Sequence, residues 1–218
     1  MYVRNPYNTN LILWYEPLYK GMQVQVQKGP LIAQYLGRLH QTMQRAVAAH
    51  PRTLAFRVDL RFPEWMTVDE DTSNFILQRF VDSFKAKVEH NRMSAQRRLE
   101  RAHDTDVRFA WAREHGIHGK PHFHFAFFLN HDAFHTLGLF ELGHRNLFNF
   151  LHEAWASALR LPEDGVVGLL HFPEGGAHRL NARNPQSFAD FFYVASYLCK
   201  AATKEYGNGL HGFGTSRF

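Results

Sequence analysis

At 218 residues, with 45% hydrophobic and 21% charged positions, the chain has the size and composition of one packed domain, which excludes a disordered or fibrous protein. Its single cysteine, Cys199, excludes a disulfide framework and a cysteine-rich zinc site, so any metal has to be held by histidines and carboxylates. A formal charge of +5 at pH 7 favours an anionic partner, nucleic acid being the commonest.

In chain order, residues 1–52 read as an N-terminal extension. Its first part has no long apolar run: Leu11 to Tyr15 is too short for a signal core or a membrane span, so a soluble, unexported protein with no membrane partner is expected. After Pro30, the spacing of Ile32, Tyr35, Leu36, Leu39, Met43, Ala46 and Val47 predicts an amphipathic helix over 31–49. Thr53 to Phe62 alternates, with Leu54, Phe56, Val58, Leu60 and Phe62 on one face and Arg57, Asp59 and Arg61 on the other, which predicts a strand. A helix follows, capped near Asp71 or Thr72, with Phe75, Ile76, Phe80, Val81, Phe84 and Val88 as its apolar stripe. Its basic continuation, with Lys85, Lys87, Arg92, Arg97, Arg98 and Arg101, reads either as a phosphate-binding surface or as a solvated helix face.

Val107 to Glu114 and Lys120 to Leu129 predict a hairpin joined by Gly116-Ile117-His118-Gly119. A helix around 143–159, a strand over 166–172 and a last helix over about 187–205 complete the order, with Ser187 and Asp190 as its capping pair and Gly207 as its stop. The fold class is α+β: an antiparallel sheet of four to five strands with helices on one face, in the ferredoxin-like split arrangement. The main domain spans 53–206 and residues 207–218 form a C-terminal tail.

Within the hairpin, the strand period of two puts His122 and His124 on one face and Phe123, Phe125 and Phe127 on the other. Two imidazoles so placed reach one divalent ion. A hairpin closing symmetrically about His118 sets Glu114 across from His122 as a third ligand, whereas a slip of one residue turns it away. On the last helix, Tyr193, Tyr197 and Lys200 at i, i+4 and i+7 share one face.

His122-Phe123-His124 resembles the His-hydrophobic-His signature of HUH endonucleases, and Tyr193-Val194-Ala195-Ser196-Tyr197-Leu198-Cys199-Lys200 resembles their tyrosine motif. Arg57-Val58-Asp59-Leu60-Arg61-Phe62-Pro63 and Gly119-Lys120-Pro121-His122-Phe123-His124 resemble, more closely, the YagK/YfjJ-like family, which includes inovirus-type replication initiators. The resemblance implies a rolling-circle initiator of a mobile element, working in the cytoplasm of a bacterial host. It would nick and religate single-stranded origin DNA, whether or not that DNA folds into a hairpin, and would depend on a host helicase and polymerase. Mg²⁺ or Mn²⁺ held by His122, His124 and Glu114 is the implied cofactor, with no small-molecule cofactor besides. Tyr197 is the implied nucleophile, Lys200 its charge partner and Tyr193 a second tyrosine. Two-tyrosine members have a lysine three residues after each tyrosine; Ser196 stands in that place after Tyr193, which favours Tyr197. Arg57, Asp59, Arg61, Lys85, Lys87, Arg97, Arg98 and Lys120 are the expected DNA contacts.

Three rival readings stand beside this one, one of them a structural or partner-binding domain, favoured only if the aromatics prove buried. A histidine-triad nucleotide hydrolase needs a third histidine where Ala126 stands. A catalytically silent origin-binding protein or repressor would keep the sheet and the basic helix without the chemistry. No Gly-x-x-x-x-Gly-Lys-[Ser/Thr] loop occurs, so the chain carries no phosphate-loop motor.

Overall fold

Alternating side chains build the main sheet of the computed structural model, which describes residues 3–116, 119–202, 204, 206 and 211–217. The elements in chain order are β1 (Val3–Asn5), β2 (Asn8–Trp14), β3 (Leu18–Tyr19), β4 (Met22–Gln23), β5 (Leu31–Ile32), α1 (Ala33–Ala49), β6 (Arg52–Arg61), α2 (Glu70–Arg98), β7 (Arg108–His115), β8 (Pro121–Asn130), α3 (Leu147–Leu159), β9 (Leu170–His171), β10 (Ala177–Asn181), α4 (Pro185–Ser196) and β11 (Phe213–Thr215). Single 3₁₀ turns occupy Val26–Lys28, Glu163–Val166 and Tyr197–Cys199.

The main sheet has six antiparallel strands, in the order β10-β6-β8-β7-β11, with β9 pairing the far end of β6. β1, β2 and β5 form a separate three-stranded sheet, and β3 pairs with β4. On one face of the main sheet Phe56, Val58, Leu60, Phe123, Phe125 and Phe127 pack against Phe80 and Phe84 of α2 and Trp155 of α3. The seven buried aromatic side chains among these would bury on the order of 150–250 Å² each, so this face is the main source of stability. On the opposite face, Ala55, Ala110, Ala112, Ala126 and Phe128 pack against α1 and α4.

The structure corrects several expectations. The sheet has six strands rather than four to five, because the polar, weakly alternating segment Ala177–Asn181 and the three-residue β11 pair along its edges. Helices cover both faces rather than one: the small alanines of β6, β7 and β8 let α1 and α4 approach the second face closely. The main sheet thus takes its edge strand β11 from beyond residue 206, and α1, from before residue 53, covers its second face. The strand expected over 166–172 shrinks to β9. Phe75 of the expected apolar stripe is 72% exposed, and α2 is capped by Asp69, whose side chain accepts from the Thr72 amide. The last helix starts at Pro185 with Asn184 as its cap and stops at Ser196. Ile117 and His118 of the expected turn, and the expected stop at Gly207, lie outside the described residues.

Candidate functional site

The second face changes character along its length, from alanines under α1 and α4 to ionisable groups at one end. The register fixes the neighbours there: Glu114 lies opposite His122 across the β7–β8 pair, while Asp59 and Arg61 of β6 lie opposite His124 and His122. Alternation then turns all of them to the same side, with Phe123 and Phe125 locking β8 from beneath.

Glu114, His122 and His124 each offer one ligand atom, and these atoms lie within 4.8 Å of one another. Oε2 of Glu114 is 3.3 Å from Nε2 of His124 and 3.9 Å from Nε2 of His122. Asp59 Oδ1 lies 2.6 Å from His124 Nδ1. That contact fixes the ring so that Nε2 faces Glu114 and His122. His124 Nε2 is buried and close to Glu114, yet too poorly aligned for a hydrogen bond with any described residue. A buried imidazole nitrogen aimed between a carboxylate and a second imidazole makes a group with the chemistry to hold a metal ion, since a two-histidine, one-carboxylate set suits a divalent cation.

Two lysines complete the network. Lys200 Nζ is 3.1 Å from Oε2 of Glu114, and Lys204 Nζ is 3.0 Å from Oε1 with its side chain wholly buried. Burial alone would raise the Glu114 carboxyl, but His124 and the charges of Lys204 and Lys200 hold it well below the usual carboxylate range. Burial likewise works to raise Asp59, and is overcome by His124 and Arg57, so Asp59 stays ionised. His124 shows the opposite balance: burial lowers it, and its contacts with Asp59 and Glu114 raise it above the ordinary value. His122 is pushed down to about 4 by burial and by the neighbouring His124, and so is neutral at physiological pH.

Tyr197 reaches the same place. Its ring stands edge-on to His124 with centroids 5.2 Å apart, with the Arg57 guanidinium 4.7 Å and Lys200 Nζ 3.8 Å from its centroid. Tyr193 does not join it: its hydroxyl accepts a hydrogen bond from Gln27 Nε2 at 2.9 Å. The expected common face of Tyr193, Tyr197 and Lys200 is lost because α4 gives way to a 3₁₀ turn at Tyr197 and Lys200 is extended.

The expected DNA contacts divide between the two faces. Arg57 donates to Asp59 at 3.1 Å and belongs to the network, Arg61 is exposed at the end of β6, and Lys120 donates to the carbonyls of Pro63 and Glu64. The basic residues of α2 sit with that helix on the phenylalanine face, away from the histidines. There Lys85 lies over the Phe109 ring, Lys87 pairs with Glu153 at 2.6 Å, Arg98 bonds the Ser94 carbonyl and Arg97 is exposed. Sequence reasoning missed two residues of the site. Lys204 continues the i+4 spacing from Lys200, but only burial marks it out. His171, whose Nδ1 lies 3.5 Å from Asp59 Oδ2, arrives through the pairing of β9 with β6.

Residues 16–216 match the YagK/YfjJ C-terminal domain family. The chain belongs to this family. Among its relatives, the uncharacterized protein YagK of Escherichia coli (strain K12) is 30% identical over 198 residues, covering 87% of this chain and 95% of YagK. The uncharacterized protein YfjJ of the same strain is 31% identical over 202 residues, covering 87% of this chain and 96% of YfjJ. No solved structure matches. The family match takes in part of the N-terminal extension, including α1 that covers the second face, as well as the edge strand β11. Among the described residues no helix is long and apolar enough to cross a membrane.

Proposed function

We propose that the chain is an HUH-type, metal-dependent DNA nickase that starts rolling-circle replication through a covalent tyrosine intermediate. The observation that carries the reading is the convergence of His122, His124 and Glu114 with Tyr197 and Lys200, from β7, β8 and the turn after α4, at one end of one sheet face. The order β10-β6-β8-β7, with α2 and α3 together on one face, supports the ferredoxin-like arrangement expected of this class, with β9 and β11 as additions at the edges. The natural substrate is single-stranded DNA at a replication origin, and helicase and polymerase would come from the host.

His122, His124 and Glu114 would hold Mg²⁺ or Mn²⁺, which supplies Lewis-acid polarisation of the scissile phosphate. Asp59 keeps the His124 ring oriented for this task. The Tyr197 oxygen attacks phosphorus as its phenol proton is lost, the phosphorus bond to the 3′ oxygen breaks, and the released 3′ oxygen takes up a proton, so that the products are a 5′-phosphotyrosine and a 3′-hydroxyl. Arg57 and Lys200, both against the Tyr197 ring, offset the negative charge of the reacting group. Arg61 at the rim would meet the DNA backbone.

The test is incubation with labelled circular single-stranded DNA of the element, with Mn²⁺ or with EDTA, followed by denaturing electrophoresis. A metal-dependent protein-DNA adduct lost in Tyr197→Phe supports the proposal. One observation favours the silent DNA-binding protein as a second reading: both oxygens of Glu114 are already ion-paired to lysines. DNA binding without an adduct under any metal would select that reading.

A further inference from the structure

The residues before α1 do more than extend the chain. Gln25 sits against the end of α4: its amide donates to Ser196 Oγ at 3.0 Å, and its side-chain Nε2 donates to the carbonyls of Tyr193 at 2.9 Å and Val194 at 3.2 Å. These carbonyls would otherwise look for amides one turn later in a continuing helix. Ser196 Oγ in turn donates to the Tyr193 carbonyl at 2.7 Å. Beyond the turn the same arm continues its hold: the Ala201 amide donates to the Pro30 carbonyl at 2.9 Å, and Leu31 bridges Lys200 in antiparallel fashion. The arm therefore brackets the backbone of Tyr197 and Lys200 on both sides while Gln27 holds the Tyr193 hydroxyl.

We infer that Gln25 is a positioning residue: by ending α4 at Ser196 it turns Tyr197 and Lys200 toward His124 and Glu114, and it leaves Tyr193 outside the site. Building on the nickase reading, this makes the chain a single-nucleophile enzyme whose tyrosine is set by its own N-terminal arm. Ser196 serves here as the acceptor for that arm. Gln25 touches neither metal ligand nor Tyr197 hydroxyl in any described contact, so its effect runs through backbone placement alone. Reactions of this kind are sensitive to placement, a shift of about 1 Å costing on the order of a hundredfold.

The experiment compares Gln25→Ala and Gln25→Glu with wild type in the full chain. Amide hydrogen exchange over 193–201 is read first, because it requires no activity; exchange there is expected to speed up about tenfold or more in Gln25→Ala while β6 and β8 stay protected. Single-turnover adduct formation with Mn²⁺ is read second, expected to slow about tenfold to a hundredfold with affinity for single-stranded DNA unchanged. Gln25→Glu, which keeps the backbone amide bond to Ser196 but loses the side-chain donor, is expected to behave like Gln25→Ala. Tyr193→Phe is expected to form adduct at the wild-type rate. Unchanged exchange, an unchanged adduct rate in both variants, or loss of adduct in Tyr193→Phe overturns the inference. If wild type forms no adduct, the nickase reading fails instead, and the exchange result alone still decides whether the arm sets the turn.

Discussion

The two faces of the main sheet are held in opposite ways. Beneath β8, phenylalanines interlock with α2 and α3 through apolar area, which is non-directional and spread over many residues. Above it, one half of the face is alanine under α1 and α4, and the other half is a set of buried charges tied by directed ion pairs. Buried charges cost desolvation that their pairing rarely returns in full, so a fold gains little stability by keeping them. The contrast teaches that the first face maintains the scaffold, whereas the second face carries ionisable groups whose burial stability alone does not explain, with the alanines marking the boundary between them.

Exchanging the chemistry for a neighbour of equal shape should separate the faces most sharply. Tyr197→Phe is expected to lower adduct formation by at least about a thousandfold in the gel assay while leaving the urea midpoint in place. On the other face, Phe127→Ala is expected to destabilise by about 3–5 kcal/mol in urea unfolding, and under strongly native conditions to leave Mn²⁺ affinity unchanged. A large loss of metal affinity in the folded variant would mean that the faces are not independent.

Asp59→Asn keeps the shape but removes the carboxylate that holds His124, and should weaken Mn²⁺ binding about tenfold to a hundredfold by calorimetry. The pH dependence follows from the same contacts. Metal binding needs a neutral His124, whose pKa is raised, so on the acid side of that value Mn²⁺ affinity should fall about tenfold per pH unit, with one proton released on binding. In the metal-free protein the raised His124 contributes stability that is present below its unfolded value and lost as pH rises through its folded one. Depressed Glu114 and Asp59 contribute stability that is present above their unfolded values and lost as pH falls. Unfolding midpoints across pH should therefore peak between the two ranges. The smallest effect is expected on α2: Arg97→Ala with Arg98→Ala should change single-stranded DNA affinity less than about twofold, and Arg61→Ala more, because only Arg61 shares the histidine face. A reversal of that order would place the DNA on the phenylalanine face.

Much of the site was legible in the residues alone. Strand periodicity puts His122 with His124 and Arg57 with Asp59 and Arg61, and the near-symmetric hairpin sets Glu114 across from His122. The apolar stripe of α2 and the helix over α1 were equally legible, because each repeats along its own segment. Edge strands β10 and β11 were not: one is polar and the other has three residues, so neither carries a periodic signal.

The sequence by itself determined which side chains share a strand face, since that follows from local backbone geometry and survives any packing. Only the tertiary structure decided where α4 ends, that Tyr193 turns to Gln27 instead of the histidines, and that Lys204 is buried against Glu114. The physical reason is range: the contact that stops α4 joins Gln25 to Ser196, 171 residues apart, and the Lys204 pair spans 90, so no local pattern encodes either one.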